Sequence, residues 1–193
     1  ESPDTELGTD VVISTGTIGN KTFVAKWTPR EDTLYKVRHW LQKVGKNAET
    51  YSEDSYELIS TEELYGQTDL EITPPVDEYS GFSSPETQTI TINGSGSTII
   101  DYYYTRNSYY LTIDLGQGIE SVTGDGLTFE DGFIVGQYQY GQSVTIEPTV
   151  KIGYLWNNWT GSLENASQKI TFTMFFEDMT LSANATAKDN VTY

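Results

Sequence analysis

Apolar and polar positions alternate along most of the chain. In "LYKVRHWLQKV" (34–44), Tyr35, Val37, His39 and Leu41 fall on one face, and Lys36, Arg38, Trp40 and Gln42 on the other. A period of two marks a half-buried strand. "SYYLTIDL" (108–115) repeats the pattern, and "QTITI", "STIIDYYY", "QSVTIEP", "KITFTM" and "MTLSANA" supply further strands. Turn sequences such as "INGSGS" and "TGDGLT" separate them, with glycines able to take the positive φ of tight hairpins. One stretch carries other chemistry. "STEELYG" (60–66) offers Ser60 or Thr61 as a helix cap and Glu63 as its answer, within only two turns of sequence flanked by strand-like runs. The expected fold is mainly β, with α+β as the alternative if 60–66 is helical.

The pattern also repeats at long range. "LYGQTDLEITP" (64–74) and "QYGQSVTIEP" (139–148) share Tyr-Gly-Gln and a closing proline, and Tyr65 and Tyr140 lie 75 positions apart. Each is followed by an extended run and a Gly-aromatic pair, Gly81-Phe82 and Gly153-Tyr154. Three closing strands lead through polar links to a tyrosine: "TFVAKW" to Tyr35, "TIIDYYY" to Tyr109 and "MTLSANATA" to Tyr193. Tyr35 to Tyr109 is 74 positions and Tyr109 to Tyr193 is 84, the size of a small domain. This divides the chain into the tail of a preceding repeat (1–30), a first complete unit (31–106) and a second (107–193). The tail's runs "DVVIST" and "TFVAKW" lack a repeat of their own. Because exposed strand edges seek partners, residues 10–27 are expected to pair with the first unit or dock on a neighbouring molecule. In "DYYYTRNSYYLTI" (101–113) five tyrosines fall on the seam, and some of their rings are expected to pack across it and stiffen it.

Charge narrows the partners. The 193 residues carry 28 acidic and 11 basic side chains, a net charge of −17. Nucleic acid and anionic lipid surfaces are disfavoured, because binding them relies on clustered Lys and Arg, which here are scattered singly. The absence of cysteine removes disulfides, thiolate catalysis and zinc–thiolate sites. No apolar run is long enough to span a bilayer, so no direct membrane insertion is expected within this stretch. The chain opens at Glu1 without a methionine or signal-peptide pattern, and a processed or excised piece of a longer polypeptide is expected.

Candidate chemistry is sparse. His39, the only histidine, sits mid-strand among apolar neighbours, and no nucleophile elbow accompanies it, so it reads as structural. Carboxylate pairs such as Glu62–Glu63 and Glu130–Asp131 follow from composition. Glycosidase chemistry needs two carboxyls about 5 to 10 Å apart across a groove, for which small units leave little room. Asp125 and Glu130-Asp131 lie in glycine turns whose spacing does not match a calcium loop. No catalytic residue, metal or cofactor is assigned, and the chain is expected to be non-enzymatic. Six Asn-x-Ser/Thr sequons begin at Asn20, Asn93, Asn158, Asn165, Asn184 and Asn190. The aromatic candidates for ligand contact are Trp156, Trp159, Tyr103 and Trp40. Exposed, they would form a stacking platform for a glycan or a host protein, but core positions are favoured for Trp156 and Trp159.

The ordered motifs resemble a known family. "GTIGNKTFVAKWTP" (16–29) is similar to the closing segment of internalin-type B-repeats, also called Listeria–Bacteroides repeats. "YKVRHWLQKV" (35–44), "YGQTDLEITPPVDEYSGF" (65–82) and "GSTIIDYYYTRN" (96–107) look like the longer variant. "YGQSVTIEPTVKIGYLWNNWTGS" (140–162) and "ITFTMFFEDMTLSANA" (170–185) resemble the divergent B-repeat. The resemblance implies two tandem small β-rich repeats, the first β-grasp-like and the second β-sheet or sandwich-like. It also implies an extracellular location, on a bacterial cell surface or secreted, with no catalytic residues. A stalk or spacer of an adhesin that projects a distal functional domain fits best. Its partners would be neighbouring repeats of the same chain and a host surface protein or glycan. The alternative is a binding module for carbohydrate or host protein that uses exposed aromatics or a sheet edge. One departure stands out: "GDGLTFEDGFIVGQY" (124–138) is longer than the divergent repeat has at that place, and an added hairpin is expected there.

Overall fold

The computed structural model describes residues 12–189. Residues 10 and 11 of the tail, the sequon at Asn190 and the seam tyrosine Tyr193 lie outside the described residues. Alternation produces strands throughout. β1 (Thr33–Gln42) turns Val37 and His39 into the core, and β2 (Tyr56–Gly66) pairs with it antiparallel from Thr33↔Gly66 to Gln42↔Tyr56. The segment 60–66 is therefore strand, and the α+β alternative does not hold. Glu63 stands opposite Lys36 and bonds its ammonium at 2.7 Å, a cross-strand partner that supplants the helix cap. Among the described residues there is no helix, so none is long and apolar enough to cross a membrane.

β3 (Glu71–Ile72) and β5 (Ile90–Thr91) form a two-stranded ribbon. β4 (Phe82–Ser83) pairs antiparallel with β6 (Thr98–Arg106), which runs parallel to β1 with Val37 opposite Ile100 and Leu41 opposite Tyr104. The sheet order is β2-β1-β6-β4. One face holds Val37, Ile100, Tyr102 and Tyr104 under the largely irregular chain from 67 to 97.

The second half contributes β7 (Ser108–Leu115), β8 (Ile119–Gly124), β9 (Thr128–Glu130) and β10 (Phe133–Gln139). β11 (Ser143–Val150), β12 (Tyr154–Gly161), β13 (Ile170–Thr173) and β14 (Met179–Ala187) complete it. A five-stranded sheet, β12-β14-β7-β10-β9, faces a three-stranded sheet, β13-β11-β8. Leu111, Ile113, Val144, Ile146, Trp159 and Leu181 are among the side chains filling the space between them. The hairpin expected within 124–138 is present as β9–β10, turning on Asp131 and Gly132, both at positive φ.

Both main sheets share one plan. In the first half the opening strand β1 lies parallel beside the closing strand β6. The next strand of the sheet, β2, flanks the opener and β4 flanks the closer. In the second half β7 and β14 are the parallel central pair, flanked by β10 and β12 in the same places. Gly81 and Gly153, the glycines of the two Gly-aromatic pairs, have φ of 83° and 88° and immediately precede β4 and β12.

The tail does not take the first of its two expected partners, the first unit. Residues 12–27 form no strand and do not pair with the first sheet; Val24 and Trp27 are 87% and 88% exposed. The physical reason lies in the shared plan. "TFVAKW" has the pattern of a closing strand, and a closing strand belongs inside a sheet between an opener and a flanking strand. The described residues offer it no such vacancy, since β6 already fills that place beside β1.

Candidate functional site at the strand junction

β6 ends at Arg106 and β7 begins at Ser108, so a single residue, Asn107, joins the two halves. Its backbone is held from both sides. The Asn107 N–H donates to the Gly81 carbonyl and its carbonyl accepts from the Tyr140 N–H, each at 2.9 Å. Ser83 Oγ donates to Asn107 Oδ1 at 2.6 Å.

Arg106 secures the joint. Its N–H donates to Gln42 Oε1 (2.7 Å), its Nε to the Gln42 carbonyl (2.9 Å) and a terminal nitrogen to the Tyr140 carbonyl (2.7 Å). The guanidinium lies 4.7 Å from the Phe82 ring centre and 5.7 Å from that of Tyr140. Such contacts suit a planar cation that is weakly hydrated. Burial pulls its pKa below the usual arginine value. No carboxylate lies within ion-pair distance of it among the described residues, so backbone carbonyls and ring faces hold this charge. Tyr140 meets Phe82 edge-on at 5.8 Å and Phe176 at 6.3 Å, and the Gly45 N–H donates to Gln139 Oε1 at 2.6 Å.

The aromatic rings at the joint are thus Phe82, Tyr140 and Phe176, not the five tyrosines of the seam. Tyr102 and Tyr104 are buried in the first core, Tyr103 stacks on Trp40 across the opposite sheet face, Tyr109 packs on the second core and Tyr110 is exposed. Strand alternation sends them to different faces, which is why clustering in sequence gives no cluster in space. The usable signal was the repeated Tyr-Gly-Gln, which placed Tyr140 at a recurring position.

The four aromatic ligand candidates are not brought together. Trp40 is 6% exposed and stacks on Tyr103 at 5.9 Å, with Tyr51 and Tyr56 against Tyr103. Trp40 Nε1 donates to Asp101 Oδ1 at 2.7 Å, and Arg38 grips the same carboxylate with two nitrogens. Trp159 is fully buried and donates through Nε1 to the Gln168 carbonyl. Trp156 alone is half-buried beside an open groove.

His39 is buried, 1% exposed, with Nδ1 at 2.8 Å from the Tyr104 hydroxyl. That hydroxyl accepts from the Asp77 N–H, and burial pushes its pKa up to about 12. His39, Glu62 and Asp77 each bring one ligand atom within 4.8 Å of the others, a grouping that sequence spacing did not reveal. With Nδ1 engaged by Tyr104, the histidine here acts as part of the core's hydrogen-bonding.

These features define a chain that is all-β over the described residues, with two main sheets built on one plan and joined by a clamped residue. Residues 126–189 match the family model of the divergent InlB B-repeat domain. A comparison with curated protein sequences finds no match. Among solved structures, the chain is similar to the Bacillus anthracis TIE protein at 12% identity and a TM-score of 0.45. That likeness covers 81% of this chain and 34% of the other, so the chain spans about a third of its length. It is also similar to the major pilin of Streptococcus pyogenes, at 11% identity and a TM-score of 0.35 over 81% of this chain and 99% of that one. The shaft pilin spaA of Lactobacillus rhamnosus GG is similar at 9% identity and a TM-score of 0.23, covering 79% and 98%.

Proposed function

We propose that this chain is a non-enzymatic, tension-bearing spacer of a bacterial extracellular or surface protein. In this reading it comprises two successive copies of one unit, 31–106 and 107–193, after the tail of another, 1–30. The observation that carries this is the parallel pairing of opening and closing strands in both sheets. Force applied along the chain enters the first unit at the start of β1 and leaves at the end of β6. The two strands then slide in opposite directions, and the bonds from Tyr35↔Thr98 to Leu41↔Tyr104 are loaded together. A hairpin pulled from its open end would instead lose its bonds one by one. The β7–β14 pair, Met179↔Leu111 to Ala183↔Leu115, is loaded the same way. Asn107, held on both sides, passes the load from one pair to the next.

The B-repeat match at 126–189 supports the extracellular surface setting, and the charge of −17 keeps such a protein dispersed. Adjacent small units also support one another where isolated ones would be marginal. Stretching single molecules from their ends tests the reading. Beyond the low-force lengthening of the strandless tail before Thr33, two discrete unfolding events are expected, one for each parallel strand pair. Smooth, low-force lengthening of the sheets themselves, without discrete events, would overturn it.

A further inference from the structure

The two sheets of the second half leave a groove of about 480 Å³ between β11, β12, Thr123 and Gln168. Tyr154, Trp156, Glu147 and Thr149 are among the residues that line it. Strict alternation would put Trp156 and Trp159 on opposite faces of β12. A bulge between Trp156 and Asn158 prevents this: Trp156 stands opposite Ala185 and Trp159 opposite Ala183, both on the core side. Trp159 fills the core, and Trp156, one residue pair nearer the open end, reaches the groove.

The Trp156 ring is fixed in place. Its Nε1 donates to the Ala166 carbonyl at 2.9 Å, and it meets Trp159 edge-on at 5.3 Å. The lining keeps hydrogen-bonding capacity. Gln168 spends its NH2 on the Pro148 carbonyl at 2.9 Å, which leaves its own carbonyl oxygen. Glu147 uses Oε2 on Lys169 at 3.1 Å, which leaves its other oxygen, and the Thr149 residue is exposed.

We propose that this groove binds a short, neutral oligosaccharide of gluco-configured pyranose rings, one ring stacking on Trp156. Rings with equatorial hydroxyls present a C–H face to an aromatic plane and direct their hydroxyls sideways, toward Gln168, Glu147 and Thr149. A rigid indole makes this contact with little loss of side-chain freedom. The volume lies within the roughly 300 to 1,000 Å³ of small-ligand sites. The open sides admit a chain of sugars, and the protein's −17 charge repels uronic or sialic acids. The site is independent of the strand pairs that bear load, so its failure would leave the spacer reading intact.

The test titrates the full chain with cellotetraose and chitotetraose, following amide NMR shifts. A C6-oxidised cellotetraose, bearing carboxylates, is the charged comparison. Saturable binding with shifts confined to the groove is expected, weakened at least tenfold by Trp156→Ala and by Thr149→Arg, which fills the groove. Trp156→Phe retains an aromatic face and should keep measurable affinity; it serves if Trp156→Ala fails to fold. The oxidised sugar should bind at least tenfold more weakly. No saturable binding of either neutral tetramer at millimolar concentration, unchanged binding in folded Thr149→Arg, or equal binding of the oxidised sugar would overturn the proposal.

Discussion

The Tyr104 hydroxyl connects the first core to the chain that covers it, accepting from the Asp77 amide and bonding His39 Nδ1. Its pKa of about 12 lies above the ordinary tyrosine value of 10 because burial disfavours the phenolate. The folded state therefore holds this proton more tightly than the unfolded one. The resulting stability is fully present below pH 10 and lost as pH rises toward 12. Tyr56, Tyr79, Tyr103 and Tyr138 shift in the same direction, each mainly by burial. Urea unfolding at pH 8 to 11.5 should show falling stability above pH 10, and Tyr104→Phe should flatten that fall while costing about 1 to 3 kcal/mol at pH 8. A second expectation concerns Trp159: replacement by Ala should cost about 3 to 5 kcal/mol in the same assay. Its burial agrees with the core position favoured for it from sequence. The groove position of Trp156 was not legible there, since a one-residue bulge at Asn157 leaves no mark in the alternation. Nor was the burial of Trp40 or the half-burial of Tyr103, which rests on their stacking and on the rings of Tyr51 and Tyr56 against Tyr103.

At the scale of elements, turns differ in what a methyl group would meet. Gly132 in the β9–β10 turn has φ +92° with nothing within 4 Å of an added Cβ, so Gly132→Ala should cost only the backbone term, about 1 to 2 kcal/mol. Gly81 has φ +83°, and a Cβ there would lie 2.3 Å from the Tyr140 ring. Gly81→Ala should therefore cost the same term plus about 1 to 3 kcal/mol for displacing Tyr140 from Phe82 and Arg106. Comparing the two midpoints in urea checks this; equal losses would mean that the junction is soft. Most strands were legible because alternation is a local signal. The helix-like Ser60–Glu63 chemistry was equally local and gave way to Lys36, 27 positions away in sequence. The extra hairpin was legible from length, and its Asp131-Gly132 turn follows from chemistry that tolerates positive φ. Of the two outcomes expected for the tail, pairing with the first unit does not occur, because edge-seeking depends on a vacancy in the sheet, which no local pattern reports.

At the scale of the molecule, the repeat visible in the spacing of Tyr65 and Tyr140 corresponds to two sheets with the same strand order. That order makes mechanical resistance depend on direction. Pulling through handles at Thr33 and Arg106 shears β1 against β6. Pulling through Thr33 and Gly66, which face each other at the end of the β1–β2 hairpin, opens that pairing one bond at a time. Both geometries load the same fold with the same equilibrium stability, so a difference between them isolates the strand arrangement. The decisive measurement is the unfolding force of the full chain along these two directions at one loading rate. A force several-fold higher for Thr33–Arg106 is the expected result, and equal forces would contradict the tension-bearing account.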